Sequence, residues 1–258
     1  MSVFGEMAIS LKIGSEADGM RAAGKAAASV LSGLCKRVVP GVSTAEIDCL
    51  AADLIRLNGA TSAFLGYRGF PGNVCISLND EVIHGIGGPR VLVMGDLVKI
   101  DVGVKKGGWI GDTAASVSAG PATDLSSRLV LAGEAALAEG IRFAKAGCHV
   151  GDISCAIEAE VLRHGFSVVR DFVGHGVGRN LHEDPQVPNF RTKGKGEKLR
   201  AGMTLAIEPM VNAGGFGVKM LKDGWTVVTQ DGSLSAHVEH TVLVTDGEPE
   251  ILTWRGTM

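Results

Sequence analysis

The sequence predicts an α/β (α+β) protein made of two similar halves, and two observations support this prediction. Segment 40–59 recurs loosely as segment 146–165, at a constant offset of 106 residues. In each half, helix-like segments are followed by strand-like apolar runs. A chain of 258 residues is long enough to form one large domain with a sizeable core. We therefore expect a single domain over 1–258, with an internal pseudo-repeat of about 14–120 and 126–245.

The helices are predicted from composition and from capping. The first helix of each pair is rich in alanine, as in segments 23–28 and 132–137, and alanine has the highest helix propensity. The second helix of the first half opens with S-T-A-E from Ser43, a capping-box pattern. Helical spacing then predicts one buried apolar stripe along that helix, formed by Ile47, Leu50, Leu54 and Leu57.

The strands are predicted from runs rich in apolar residues. These runs are 74–78, 97–104 and 109–119 in the first half, and 203–212, 225–230 and 236–245 in the second. Asp101 and Asp112 lie on either side of a K-K-G-G turn. We expect them at facing positions on two antiparallel strands.

Composition and charge exclude several classes of protein. Hydrophobic residues make up 45% of the chain and charged residues 21%, an ordinary globular balance. The net charge is −3 without a long charged run, so neither nucleic-acid recognition nor binding to an anionic membrane is expected. The N-terminus lacks a secretory signal pattern. No apolar run approaches the roughly 20 residues that span a bilayer.

Cysteine usage indicates the compartment. The five cysteines are an odd number and show no C-x-x-C spacing, which disfavours both a disulfide framework and a structural zinc site. We therefore predict a reducing cytoplasm.

Four carboxylates and one imidazole each lie in a short motif of their own. The motifs are K-I-D-V-G-V with Asp101, I-G-D-T-A with Asp112, G-H-G-V-G-R with His175, A-I-E-P-M with Glu208 and H-V-E-H-T with Glu239. Their negative charge matches what two divalent cations neutralise. An oxygen-rich set with a single nitrogen favours Mn, Fe, Co or Zn. Paired metals commonly activate water against an amide or a phosphate, so the set predicts a dinuclear metallohydrolase.

Each aspartate, taken alone, has a simpler interpretation. Asp112 with Thr113 could cap a helix or turn, as a G-D-T triplet often does. Asp101 lies in an apolar run, where an unpaired carboxylate is costly. It could form a buried ion pair with Lys99 or Lys105, which share its face of the strand. The other three motifs favour the metal site over both alternatives.

From about Gly14 to Thr253 the chain resembles the type I methionine aminopeptidases. The resemblance rests on G-Y-R-G-F-P-G-N-V-C-I-S-L-N-D-E-V-I-H-G (66–85), on the five metal motifs and on K-D-G-W-T-V-V-T (222–229). It implies the pita-bread fold, in which helices flank a central antiparallel sheet in two pseudo-symmetric halves. It also implies a catalytic domain that removes the N-terminal methionine from nascent polypeptides, preferring a small second residue.

The resemblance also implies a role for each site residue. Asp101 would chelate one metal, Asp112 and Glu239 would bridge both, and His175 with Glu208 would complete the other. The implied catalytic residues are His84, His182 and Glu208. Glu208 would be the general base, while the two histidines hold the peptide and stabilise the tetrahedral intermediate. For His237 and His240, beside Glu239, we expect structural or supporting roles rather than metal ligation.

The methionine side-chain pocket follows from the same resemblance. Its implied members are Tyr67, Phe70, Cys75, His84, Leu181, His182 and Trp225. The chain departs from the commonest bacterial pattern at Phe64, Phe70 and Leu181, where cysteine, tyrosine and phenylalanine are usual. The replacements are apolar, so a cavity suited to a thioether is retained.

Two other functions remain as alternatives. A proline-specific aminopeptidase, or another enzyme of this fold, would share the metal ligands. A type II methionine aminopeptidase would carry an insertion between His182 and Glu208, where only 25 residues stand. A non-catalytic binding homologue would be expected to lose ligands that this chain keeps. We expect a monomer that acts on nascent N-termini, and any ribosome contact would use the catalytic domain.

Overall fold

The computed structural model describes residues 9–256, and its first half has two helices followed by strands, as predicted. Helix α1 spans Ser15–Cys35 and α2 spans Thr44–Leu57. The strands that follow are β1 (Thr61–Ser62), β2 (Cys75–Leu78), β3 (Glu81–Ile83), β4 (Leu97–Lys106) and β5 (Trp109–Ser118). A short 3-10 turn, Tyr67–Gly69, lies between β1 and β2.

The second half repeats this order. Helix α3 spans Asp124–Arg142 and α4 spans Val150–Arg163. The strands are β6 (Ser167–Val168), β7 (Gly174–Gly176), β8 (Glu183–Val187), β9 (Thr204–Ile207), β10 (Met210–Asn212), β11 (Val218–Met220), β12 (Val227–Thr229), β13 (Ser235–His237), β14 (His240–Leu243) and β15 (Glu250–Ile251). Helices α2 and α4 both have 14 residues, and their first residues are separated by the same offset as the sequence repeat.

Every strand pairing in the described part of the chain is antiparallel, and the strands form four hydrogen-bonded sheets. In the first sheet, β4 pairs with β5 along its full length and with β2 and β1 on its other edge. The second half contributes the order β15-β14-β9-β7-β8. The two smaller sheets have the orders β13-β10-β6 and β11-β12-β3.

The predicted cap of α2 is confirmed, but its predicted buried stripe is partly wrong. Ser43 accepts a hydrogen bond from the Glu46 amide, and the Glu46 carboxylate accepts one from the Ser43 amide. The buried positions are Thr44, Ile47, Ala51 and Ile55. Leu50 and Leu54 are only partly buried, and Leu57 is 77% exposed. The helix packs along an i, i+4 line through Ala51, and Leu57 at its last turn faces away from that line.

The β4–β5 hairpin confirms the predicted antiparallel pair. Lys106 pairs with Trp109 across a two-residue turn of Gly107 and Gly108, both with positive φ (58° and 83°). Two consecutive positive-φ residues define the type I′ turn that suits the twist of a hairpin, which explains the two glycines. Asp112 lies opposite Gly103, two residues along the strand from Asp101. The two aspartates are therefore diagonal neighbours rather than directly facing residues.

Two of the predicted strand runs, 203–212 and 236–245, are each interrupted in the structure. Glu208 and Pro209 separate β9 from β10, and Glu239 lies between β13 and β14. Proline has no amide hydrogen for the ladder, which explains the first break. Each predicted glutamate ligand therefore lies where a strand stops. Its side chain does not have to follow the alternation of side chains between the two faces of a continuous strand.

The buried apolar residues of the described chain form four clusters, one mainly in each half and two that combine residues of both halves. The cluster of the first half runs from Ala26 to Ala119, and that of the second is drawn mainly from Leu129 to Val244. The third combines residues of both halves, among them Met20, Phe64, Leu181 and Leu243. The halves are therefore joined by a shared core. Within residues 9–256, no helix combines the length and apolar character that crossing a membrane requires.

Candidate active site

Asp101, Asp112 and Glu239 form a cluster of carboxylates between the two halves. One oxygen from each lies within 4.8 Å of the others. The Glu239 backbone is fixed against β5, because its amide donates to Ala114 O at 3.1 Å and its carbonyl accepts from Thr113 Oγ1 at 2.8 Å. The hairpin of the first half and a strand end of the second thus bring the three side chains together.

This cluster has the chemistry of a cation site. Three of its oxygens, Asp101 Oδ1, Asp112 Oδ1 and Glu239 Oε1, are buried and have no hydrogen-bond partner among the described residues. Burial raises the pKa of Asp112 to about 7, and burial together with Asp112 raises the pKa of Asp101 well above its usual value. Burial and the neighbouring carboxylates do the same to Glu239. A bound cation would neutralise this repulsion, so the residues fit a metal.

His175 presents a lone pair to the same cluster. Its Nδ1 lies 2.9 Å from the carbonyl oxygen of Gly176, and because a carbonyl only accepts, Nδ1 carries the hydrogen. Burial lowers the pKa of His175 to about 4, so the ring is neutral at pH 7. Its Nε2 then faces Glu208 Oε1 at 3.4 Å and Asp112 Oδ2 at 4.0 Å. Here a nitrogen lone pair points toward carboxylate oxygens, an arrangement that is typical of metal ligands.

Glu208 lies at the edge of the cluster. Burial raises its pKa well above the usual value, and Asp112 and Asp101 raise it further. Its backbone carbonyl accepts a hydrogen bond from Asn189 Nδ2 at 3.0 Å, which fixes the strand break that it occupies. The five residues predicted as ligands therefore lie together: Asp101, Asp112, His175, Glu208 and Glu239.

One cavity of about 260 Å³ contains every residue predicted for the site. Its walls include the five candidate ligands together with Tyr67, Phe70, Cys75, His84, Leu181, His182 and Trp225. Phe64, noted above as a departure in the pocket, lines the cavity as well, and sequence reasoning assigned no role to four further lining residues: Arg68, Ile83, Phe172 and Val173. Phe64 and Arg68 lie in or beside the recognised 66–85 motif. Phe172 and Val173 lie in an irregular segment before β7, where no periodicity points to them.

The apolar wall of the cavity is built from packed rings and a neutral thiol. Phe70 and Trp225 meet edge to face, with ring centroids 5.1 Å apart and planes at 76°. Burial raises the pKa of Cys75 well above its usual value, and the nearby carboxylates raise it further. The Cys75 thiol is therefore protonated and acts as a small apolar lining group rather than a nucleophile.

His84 and His182 both lie in loops and both line the cavity. His84 follows β3 with a positive φ of 59° and lies edge-on to Phe172, with ring centroids 5.7 Å apart. Burial lowers the pKa of His84 to about 4, which keeps its ring neutral. His182 Nδ1 lies 2.8 Å from Tyr67 Oη, and its ring is 4.3 Å from that of His175.

The simpler interpretations of the two aspartates do not describe the structure. Asp112 lies within β5 and not at a helix or turn cap. Lys99 is buried on the same strand as Asp101, but its Nζ donates to the carbonyl oxygen of Asn79 at 2.8 Å. Lys105 is exposed. Of the two histidines beside Glu239, His240 Nδ1 is 2.8 Å from Thr253 Oγ1, while His237 Nε2 is 3.7 Å from Glu208 Oε2.

Comparisons with known proteins agree with this geometry. The profile of metallopeptidase family M24 matches residues 18–246. The methionine aminopeptidase of Clostridium perfringens is 49% identical over 245 residues, which cover 95% of this chain and 98% of that protein. Methionine aminopeptidase 1 of Bacillus subtilis is 47% identical, with 91% and 94% covered.

A solved structure shows the same fold. The crystal structure of a methionine aminopeptidase from Thermotoga maritima superposes with a TM-score of 0.93 at 44% sequence identity. The match covers 95% of this chain and 99% of that one. The likeness therefore extends over the whole architecture and is not confined to the site.

Proposed function

The chain belongs to metallopeptidase family M24, and from that membership we propose that it is a methionine aminopeptidase. It would remove the N-terminal methionine from nascent proteins and peptides that have a small second residue. The observation that carries the proposal is the single cavity, in which the carboxylate cluster meets an apolar wall of Phe70, Cys75 and Trp225. The fold is the pita-bread fold that the resemblance implied.

The metal would be held by the five residues that converge on the cluster. Asp101, Asp112 and Glu239 have unpartnered oxygens there, and His175 offers the lone pair of Nε2. We propose two divalent ions, with Glu208 as the fifth ligand; Mn, Fe, Co and Zn all suit this donor set. Such ions supply Lewis acidity, which lowers the pKa of a water molecule and polarises the scissile carbonyl.

The chain's own residues would move the proton and hold the peptide. Glu208 accepts a proton from the attacking water and later delivers it to the leaving amine. His84 is neutral and can donate from its ring N–H to the carbonyl oxygen as negative charge develops. His182 does the same from the loop before β8, with Tyr67 fixing its ring through the 2.8 Å contact.

The cavity wall would select methionine. Tyr67, Phe70, Cys75, Leu181 and Trp225 present aromatic, aliphatic and thiol surface to the side chain, and a thioether makes favourable contacts with such surface. Phe64, where a smaller residue is usual in similar enzymes, also lines this cavity and lies against Gly103. Gly103 has no room for a side chain, because an added Cβ would lie 2.3 Å from the Phe64 ring.

We propose that the whole chain acts as one catalytic domain, because the site takes Asp101 and Asp112 from the first half and His175, Glu208 and Glu239 from the second. Its partners would be the N-termini of nascent polypeptides. A monomeric state, contact with the ribosome through this domain and a cytoplasmic location stay predictions.

Peptide hydrolysis tests the proposal. Metal-stripped protein, with and without added Mn²⁺ or Co²⁺, is incubated with Met-Ala-Ser, Met-Lys-Ser and Ala-Pro-Ser. Metal-dependent release of methionine from Met-Ala-Ser alone is the expected result. Cleavage of Ala-Pro-Ser would support the alternative of a proline-specific aminopeptidase. A protein that binds metal but cleaves none of the peptides would instead be a non-catalytic homologue.

A further inference from the structure

His237 is a buried histidine with no hydrogen-bond partner on its ring. Its side chain is 2% exposed, and both Nδ1 and Nε2 lack a partner among the described residues. Leaving a buried donor without a partner destabilises the folded state. A buried polar ring beside Glu208 needs a function that offsets this cost, because a leucine or phenylalanine would fill the same space without it.

The position of the ring is fixed by its backbone. His237 is the last residue of β13 and lies opposite Met210 of β10. Its amide donates to Ser116 Oγ at 2.9 Å, and its carbonyl accepts from the same hydroxyl at 2.8 Å. Strand pairing and Ser116 therefore fix the backbone of His237, and only its side-chain torsions can change.

The polar group that the ring faces is Glu208. His237 Nε2 is 3.7 Å from Glu208 Oε2, while His175 Nε2 is 3.4 Å from Glu208 Oε1. The carboxylate therefore lies between two imidazoles, one on each oxygen. His175 presents a lone pair, as its Nδ1 is committed to Gly176. The ring of His237 has no such hydrogen bond within the described residues, so its Nε2 can carry the hydrogen.

We propose that His237 is a positioning residue for Glu208. A small rotation of either side chain closes the 3.7 Å separation to a hydrogen bond, in which Nε2–H donates to Oε2. That bond holds Oε1 toward His175 and the carboxylate cluster, where the metal would bind. The inference rests on the proposed function and deepens it, since it assigns a residue that orients a ligand and general base. Partners of this kind typically change metal affinity or activity by about 10–100-fold when removed.

Two substitutions separate positioning from packing and from direct ligation. His237→Gln keeps an N–H donor of similar reach, whereas His237→Leu keeps bulk and removes the donor. His164→Leu, at the end of α4 beside Glu160, is the control for loss of a histidine far from the site. For each protein, Co²⁺ affinity is measured by calorimetry, the visible absorption of the Co²⁺ form is recorded, and kcat and KM for Met-Ala-Ser are determined at saturating metal.

We expect His237→Leu to bind Co²⁺ about 10–100-fold more weakly and to lose kcat with little change in KM. His237→Gln should restore most of both, and His164→Leu should match the parent protein. Parent-like affinity, spectrum and kcat in His237→Leu would overturn the inference. Equal loss in the Gln and Leu variants would also overturn it, because the imidazole itself would then be required. A parent protein that neither binds metal nor cleaves the peptide would instead contradict the proposed function.

Discussion

Thr241 holds Asp112 in place from the opposite half of the molecule. Its Oγ1 donates to the carbonyl oxygen of Asp112 at 2.7 Å and accepts from the Asp112 amide at 3.1 Å. Thr241 is fully buried and lies in β14, two residues after Glu239. One hydroxyl therefore satisfies both backbone groups of a candidate metal ligand and joins the two halves beside the site.

Replacing Thr241 by valine should weaken both the fold and the site. The isosteric change leaves the Asp112 amide and carbonyl without this partner, and we expect a loss of about 1–3 kcal/mol in the free energy of unfolding. Metal affinity should fall as well, because Asp112 is less well fixed. Urea unfolding and Co²⁺ titration measure the two effects. Thr245→Val, at an exposed turn where Oγ1 donates to Glu248 O, is the control and should change metal affinity little.

Asp112 and His84 should fail in different ways. Asp112→Ala removes a carboxylate from the cluster and should abolish activity together with metal binding. His84→Ala should keep near-normal metal content while lowering turnover about 10²–10³-fold, the effect of losing one oxyanion donor. Metal analysis of both dialysed proteins, followed by kinetics at saturating metal, gives the comparison. Equal metal loss in both would show that His84 had been assigned the wrong role.

The ion pair of Lys12 and Glu183 should make stability depend on pH. The charged atoms are 2.7 Å apart and almost buried. Burial raises the pKa of Glu183, but the hydrogen bonds from Lys12 and from the Asn180 amide outweigh it, so the pKa is lowered overall. A carboxylate with a lowered folded pKa stabilises the fold above its unfolded pKa, about 4.3. That contribution is lost as the pH falls through the folded pKa.

Glu183→Gln should therefore destabilise the protein at pH 7 by about 1–3 kcal/mol, since it leaves Lys12 buried without its counter-charge. The difference in unfolding free energy between parent and variant should shrink as the pH falls below about 4. Urea titrations of both proteins at several pH values measure this difference. A gap that is the same at pH 7 and at pH 3 would show that the charge of Glu183 contributes nothing.

Gly85 should tolerate no side chain. A Cβ added there would lie 2.2 Å from the carbonyl oxygen of Ile76 and 2.9 Å from the Ser77 Cα. Both are backbone atoms, so the contact can be relieved only by displacing the main chain. Gly85→Ala should cost about 1–3 kcal/mol of stability. It should also lower turnover, because the displaced backbone carries His84. Gly88→Ala is the matched control, since the nearest atom to an added Cβ is 3.9 Å away. Thermal unfolding and kinetics of the pair compare them.

Much of the site could be predicted because its residues lie in distinctive local motifs. The glycine pair at 107–108 encodes the hairpin that carries Asp101 and Asp112, and the capping box at Ser43 marks the start of α2. The motifs that carry the family resemblance also predicted that Tyr67, His84, His182 and Trp225 belong to one site, and all four line the same cavity. Local turn chemistry and motif identity were sufficient at these positions.

What could not be predicted depends on contacts between distant segments. The exposure of Leu57 follows from where α2 meets its neighbours, and helical spacing alone does not give this direction. The break at Glu239 arises where the chain leaves one sheet for another, and no local residue marks it, whereas Pro209 marks the break at Glu208. Phe172 and Val173 enter the cavity from an irregular segment, and their sequence carries no period that would indicate it.

The order of the ligands along the chain sets when the site can exist. Glu239 and Thr241 come late in the sequence, yet both contact β5, whose Asp112 was synthesised far earlier. During translation, the hairpin of the first half lacks its contacts with Glu239 and Thr241 until β14 has left the ribosome. We therefore expect the site to form only after Glu239 and Thr241 have been synthesised, so chains that stop before them should carry no activity.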